Sequence, residues 1–152
     1  EAGRSVLGQA ALRIEAPDEG NMHILEEAGT EEQKEEWLQP LVDAEIRSAF
    51  SMTEPMQGSG SDPKMIHTEA EKDGDEWVIN GHKWWSTQGT EADLFIVVAR
   101  TNWDAHPYMG CSLILVPADT PGVEIKRDVP HMGEGAMGHA EVIYDDVRVP
   151  EE

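Results

Sequence analysis

The sequence has a single cysteine, no apolar run approaching the length of a membrane span, and only 11 basic residues against 31 acidic ones in 152. One cysteine excludes an internal disulfide and a cysteine-based metal cluster. Cys111 lies in the apolar run Cys111-Ser112-Leu113-Ile114-Leu115-Val116 and reads as a small core residue, which fits a reducing compartment. No stretch comes near the roughly 20 apolar residues that a spanning helix needs, and none resembles a signal peptide, so membrane insertion is not expected. A formal net charge of −20 argues against nucleic acid or an anionic membrane as a partner. The excess acid has two readings: a carboxylate surface suited to a high-salt cytoplasm, or a local imbalance offset by basic residues elsewhere in a longer protein. The sequence begins at Glu1 and ends in Val147-Arg148-Val149-Pro150-Glu151-Glu152, a strand running into a linker, which reads as an internal piece.

Common catalytic signatures are also missing. Six histidines fall in no HxxxH or HExxH pattern, so no metal site is expected. GxSxG, P-loop and Rossmann fingerprints are absent, and Gly58-Ser59-Gly60-Ser61 lacks their spacing. By itself that stretch is a flexible loop whose amides and hydroxyls suit an anion.

What is present divides near residue 48. Residues 5 to 14 have helix-compatible apolar spacing, weakened by Gly8. Asn21 is placed to cap a helix with Met22, Ile24, Leu25 and Ala28 on its apolar side, and Gly29 stands where a left-handed terminator is expected. Thr30-Glu31-Glu32-Gln33 is a capping box opening a second helix, which presents Trp37, Leu38 and Leu41 and which Pro40 should kink or end. From Ser48 on the period becomes strand-like. Ile66, Thr68 and Ala70 alternate with polar residues, and hairpin turns are expected at Asp73-Gly74 and Asn80-Gly81, giving a three-stranded meander. Leu94 to Ala99 fits a strand covered on both faces, paired with Cys111 to Val116, and Val123, Ile125 and Ala140 to Val149 supply the last strands. The expected fold class is α+β: short helices (1–47), then a mainly antiparallel β-barrel of about seven strands (48–150), then the start of a linker (151–152).

Two segments join hydroxyls to large apolar side chains at strand ends: Phe50-Ser51-Met52-Thr53-Glu54-Pro55 and Lys83-Trp84-Trp85-Ser86-Thr87. Together they suit a flat, partly polar ligand. Strand alternation puts Trp84 and Trp85 on opposite faces and Trp85 and Thr87 on one face, about 7 Å apart. In one reading Trp85 lines a site; in the other both tryptophans merely pack and Thr87 ends the strand.

These two strings, with Gly58 to Asp62, Val78-Ile79-Asn80-Gly81-His82, Thr120-Pro121-Gly122-Val123 and Tyr144-Asp145-Asp146-Val147-Arg148-Val149-Pro150, resemble the acyl-CoA dehydrogenase family in order and spacing. Ala16 to Met22 and Gly138-His139-Ala140-Glu141-Val142 resemble most the branch of human family members ten and eleven and their bacterial relatives. The resemblance implies the end of an N-terminal helical domain and a complete middle β-barrel, with a C-terminal helical bundle beyond this chain. It also implies FAD, an acyl-CoA substrate, an electron-transferring flavoprotein as acceptor, and a homodimer or homotetramer. Phe50, Met52 and Thr53 would line the flavin, Trp85 would stack on its ring, and Thr87 would bond near N5. Ser61 best matches the serine that contacts the CoA portion, with Ser59 as the alternative. Both the loop Met56 to Ile66 and the stretch His131 to Met137 depart from related sequences. The catalytic base is expected in the C-terminal domain, so no catalytic residue is assigned here, and Glu54 is expected to be structural. An acyl-CoA oxidase or flavin monooxygenase on the same scaffold, or a non-catalytic binding domain, are the alternatives. The expected location is the cytoplasm of a bacterium or archaeon, or the mitochondrion or peroxisome of a eukaryote.

Overall fold

In the computed structural model, residues 8, 15–55, 58–132 and 138–151 are described. Apart from Gly8, the helix expected over residues 5 to 14 lies outside them, as does most of the stretch from His131 to Met137. Helix α1 (Asp18–Ala28) begins three residues before the expected cap. Asn21 is inside its first turns because its side chain is taken elsewhere: the amide donates to Ser48 Oγ at 2.9 Å. Asp18, one turn earlier on the same buried side, accepts from Ser48 N–H at 2.8 Å and Ser48 Oγ at 2.6 Å. A tertiary partner thus outcompetes the local capping role. Gly29 is extended (φ −71, ψ 149), not left-handed. Its lack of a side chain matters for space, since a Cβ there would sit 2.6 Å from the Leu25 carbonyl oxygen.

The second helix, residues 31–42, opens with the expected capping box: Thr30 Oγ1 accepts from Gln33 N–H and Gln33 Oε1 accepts from Thr30 N–H. It runs as α-helix over Glu31–Gln33, as π-helix over Lys34–Leu38 and as α-helix again over Gln39–Val42. Pro40 therefore does not end it. In a regular α-turn the proline ring would strike the carbonyl of Glu36. The wider turn, in which Gln39 N–H bonds the Lys34 carbonyl, removes the conflict, and the helix ends two residues later.

Seven strands follow: β1 (Ser48–Ser51), β2 (Glu69–Asp73), β3 (Glu76–Thr87), β4 (Leu94–Arg100), β5 (Cys111–Pro117), β6 (Val123–Asp128) and β7 (His139–Pro150). They form one mostly antiparallel, curled sheet in the order β1-β4-β2-β3-β7-β6, with β5 also on β4. β1 runs parallel to β4, and a single parallel bridge, Glu69 to Arg100, joins β2 to β4. The hairpin at Asp73-Gly74 forms as expected, with Asp73 opposite Glu76 and Gly74 at φ 68.

Asn80-Gly81 is not a turn. β3 passes straight through it as one 12-residue strand, with a register shift against β7 between Ile79 and Gly81. Gly81 serves a close approach: a Cβ there would lie 2.3 Å from Thr68 Oγ1. Asn80 Oδ1 accepts from Asp146 N–H at 2.9 Å, tying β3 to an irregular point of β7. The third strand of the expected meander is therefore β7.

All seven residues of β4 are buried, as a strand covered on both faces requires. Phe95, Val97 and Ala99 join Ala49, Ile79, Val142 and Tyr144 in the barrel core. Leu94 instead packs with Leu25 and Leu41 of the helices, flanked by Trp37, Ile46 and Leu115. Each such aliphatic or aromatic side chain contributes about 1.5–3 kcal/mol when fully buried. No helix among the described residues is long and apolar enough to cross a membrane.

Candidate flavin-site wall

Residues 51–53 run beside the last residues of β3, held by three cross-links. Ser51 Oγ and Ser86 Oγ share a hydrogen bond of 2.9 Å, Lys83 Nζ donates to the Met52 carbonyl at 2.9 Å, and Trp84 N–H donates to the Thr53 carbonyl at 3.0 Å. Tyr144 on β7 donates to Ser51 Oγ at 3.0 Å, so a buried chain of hydroxyls spans three strands. Burial pushes the Tyr144 hydroxyl well above the usual tyrosine range, opposed by the bond to Ser51, and it stays neutral. Ala49 and Ser51 are buried, whereas Phe50 and Met52 are partly open and alternate with them. Among the described residues the Thr53 hydroxyl has no hydrogen-bond partner.

The tryptophan pair departs from simple alternation. The β3–β7 register shifts between Lys83 and Ser86, and Trp85 sits at φ 56, in the left-handed region that disfavours large side chains. In this bulge the two indoles are neighbours, with ring centroids 5.9 Å apart, and not on opposite faces as a regular strand would dictate. Trp85 is 38% exposed. Trp85 and Thr87 do come together: the Trp85 ring lies 5.5 Å from that of His139, and Thr87 Oγ1 lies 3.0 Å from His139 Nδ1. The bulge, not alternation, brings indole and hydroxyl to one side.

Behind this wall lies a buried charge pair. Lys83 Nζ donates to Glu54 Oε1 at 3.0 Å, with side chains 0% and 3% exposed. Glu54 also accepts from Thr68 N–H at 2.8 Å, Thr68 Oγ1 at 2.7 Å, and the N–H groups of His67 and Ser59. Burial alone pushes the Glu54 carboxyl up. The adjacent Lys83 ammonium and the bonds from Thr68 and His67 outweigh it and bring the carboxyl down to about 2. Burial pulls the Lys83 ammonium below the usual lysine range, opposed by Glu54. A carboxylate so saturated with donors holds structure together; it is in no position to take a substrate proton.

The acyl-CoA dehydrogenase middle-domain pattern matches residues 49–147, and FadE2 of Mycobacterium tuberculosis, described as an acyl-CoA dehydrogenase, is 50% identical over 143 residues. This chain belongs to the acyl-CoA dehydrogenase family. The match to FadE2 covers 92% of this chain and 35% of FadE2. Acyl-CoA dehydrogenase family member 11 of Gallus gallus is 44% identical over 99% of this chain and 20% of its own. Among solved structures, a Mycobacterium abscessus protein assigned to the acyl-CoA dehydrogenases superposes with a TM-score of 0.91 at 44% identity, covering 98% of this chain and 37% of that one. A glutaryl-CoA dehydrogenase of Mycobacterium smegmatis, solved in complex with FADH2, superposes with a TM-score of 0.74 at 35% identity, covering 86% and 32%. The chain thus spans about a third or less of the length of these relatives.

The remaining residues singled out by the family resemblance lie on the loop after Glu54. Ser59 is buried, with its N–H on Glu54 and its hydroxyl on the Gly60 carbonyl at 3.0 Å. Ser61 is exposed in the adjoining turn, which leaves it the freer hydroxyl of the two. Sequence reasoning had no role for Lys83, Ser86, Tyr144 or His139. Lys83 carries the one signal that was available: it follows Ile79 and Gly81 at alternate positions of a strand, and a lysine on an inward face demands a buried counter-charge.

Proposed function

We propose that this chain is the flavin- and substrate-binding middle region of an FAD-dependent acyl-CoA dehydrogenase. The observation that carries this reading is the open indole of Trp85 and the hydroxyl of Thr87 gathered on one side of β3, beside the Met52–Thr53 segment. The wall suits an isoalloxazine. An exposed ring held at φ 56 is set out for stacking, the Thr53 hydroxyl is uncommitted, and Trp84 Nε1 is buried with no acceptor among the described residues.

FAD bound there supplies a hydride acceptor for α,β-dehydrogenation of an acyl-CoA thioester. The residues of this chain do the holding. Trp85 would stack on the ring, Thr87 would bond near N5, and Phe50, Met52 and Thr53 would line the flavin. Lys83 fixes the carbonyl of Met52 and the Trp84 amide fixes that of Thr53, so this backbone is set before the ligand arrives. Ser61, or Ser59, contacts the CoA portion. The group that removes the α proton belongs to the C-terminal domain, electrons pass to an electron-transferring flavoprotein, and the subunit works as a homodimer or homotetramer. A bacterial or archaeal protein of this kind acts in the cytoplasm, a eukaryotic one in the mitochondrion or peroxisome.

The test is the absorption spectrum of the purified full-length protein, followed by anaerobic addition of a panel of acyl-CoAs. Flavin bands bleached by at least one thioester are the expected result. A colourless protein that takes up no FAD overturns the reading.

A further inference from the structure

Thr87 and His139 stand opposite each other in the β3–β7 ladder, and Thr87 Oγ1 lies 3.0 Å from His139 Nδ1. The imidazole is flanked by the Trp85 ring at 5.5 Å and the His131 ring at 4.6 Å. The other ionisable groups around it are occupied. Asp128 accepts the His139 backbone N–H at 2.7 Å, and Glu141, two residues along β7, is engaged by Arg127 and His82. Among the described residues no carboxylate is paired with the His139 ring.

A hydroxyl has one proton, so what Thr87 shows its ligand depends on what His139 shows Thr87. When Nδ1 carries a hydrogen, it donates to Thr87 Oγ1, and the Thr87 proton is free to point at the ligand. When Nδ1 is bare, it accepts the Thr87 proton, and the ligand meets only lone pairs. We infer that Thr87 and His139 form a two-state hydrogen-bond relay that sets whether the site offers a donor or an acceptor to the flavin N5 edge. The inference rests on the flavin reading above. The two states fit the two forms of that ligand, because N5 of oxidised flavin is a bare acceptor and N5 of reduced flavin bears a hydrogen. No covalent bond to carbon changes in the relay: the Thr87 proton rotates, and the imidazole exchanges a proton with water. His139 is a positioning residue, acting through Thr87. Doubly protonated His139 always presents Nδ1–H and so favours oxidised flavin, whereas a neutral ring with its hydrogen on Nε2 presents a bare Nδ1 and favours the reduced form, so preference moves toward reduced flavin as pH rises.

The experiment uses the full-length protein stripped of flavin, with dissociation constants for oxidised and dithionite-reduced FAD measured anaerobically from about pH 5 to 8. Reduced flavin titrates on its own, so T87V supplies the baseline. In the wild type the ratio of reduced to oxidised Kd is expected to fall with pH about 3- to 10-fold more than in T87V, the worth of one hydrogen bond. H139Q, whose amide does not titrate, is expected to follow T87V. A wild-type profile retained in H139Q overturns the inference. A protein that binds neither form overturns the flavin reading, and the relay with it. As a check independent of flavin affinity, the ring nitrogen shifts of His139 in the FAD-free protein are expected to move in T87V. Unmoved shifts mean that the bond is absent and overturn the relay.

Discussion

Lys83 Nζ and Glu54 Oε1 meet 3.0 Å apart in a place closed to water, and between them they tie four stretches of chain to one point. Lys83 reaches the Met52 carbonyl, while Glu54 gathers the amides of Ser59, His67 and Thr68. The pair therefore sets the backbone of the proposed flavin wall and the root of the loop carrying Ser61. The two partners are not equivalent. Glu54 is the acceptor for three amides and a hydroxyl as well as for the ammonium, whereas Lys83 serves two oxygens.

Truncating Glu54 should accordingly be worse than truncating Lys83. Removing one member of a buried pair costs about 3–5 kcal/mol. Glu54→Ala is expected at or beyond the top of that range because it also orphans the amides, and Lys83→Met near the bottom. Urea denaturation of the two variants reads the order, and equal midpoints would remove Glu54 from its role as hub.

The same carboxylate shapes the acid limb of stability. Its folded value of about 2 lies below the ordinary 4.5, so its contribution is complete above pH 4.5 and is lost as pH falls toward 2. At 1.36 kcal/mol per unit this amounts to about 3 kcal/mol. A series of denaturation midpoints across that window should show the loss in the wild type and a flatter profile in Glu54→Gln.

Gly81→Ala is expected to destabilise strongly even though alanine suits a strand no worse than glycine does. The new methyl would fall 2.3–2.6 Å from three side-chain atoms of Thr68, which itself holds Glu54. Overpacking of this kind costs about 1–3 kcal/mol, and displacement of Thr68 adds to it. Thr68→Ser in the same chain frees the methyl's space while keeping the hydroxyl, and partial recovery of the midpoint is the check.

At Trp85, stability and ligand affinity should come apart. The left-handed backbone costs a non-glycine residue about 1–2 kcal/mol, and the indole is half open to solvent. Trp85→Gly is therefore expected to change apoprotein stability by no more than about 1 kcal/mol while weakening FAD binding at least tenfold. Thermal melting paired with FAD titration decides it, and unchanged affinity would remove Trp85 from the flavin wall.

The β-strand framework was legible because its signals were local. The uninterrupted run from Leu94 and the turn at Asp73-Gly74 each act within a few residues, whereas of Ile66, Thr68 and Ala70 only Ala70 lies in β2, which begins at Glu69 after a short 3-10 turn. What escaped was set by partners far along the chain. Asn21 does not cap α1 because Ser48, 27 residues on, claims its amide. Asn80-Gly81 has turn chemistry, yet Thr68 needs the glycine's empty side. At the site, the grouping of Trp85 with Thr87 was foreseen but for the wrong geometric reason, since a bulge shifts the register between Lys83 and Ser86. His139 was invisible as a partner of Thr87 because only the folded ladder places β7 beside β3.

β4 packs its two faces into different cores, Phe95 inward and Leu94 toward α1 and the second helix. A shorter version cut to begin at Ser48 would keep every residue of the family match, yet lay bare Leu94 and Leu115. That leaves a β-rich apolar strip with nothing to cover it, the kind of surface that seeds strand-to-strand aggregation. The short helices before the barrel thus cover this face of the sheet and complete its packing.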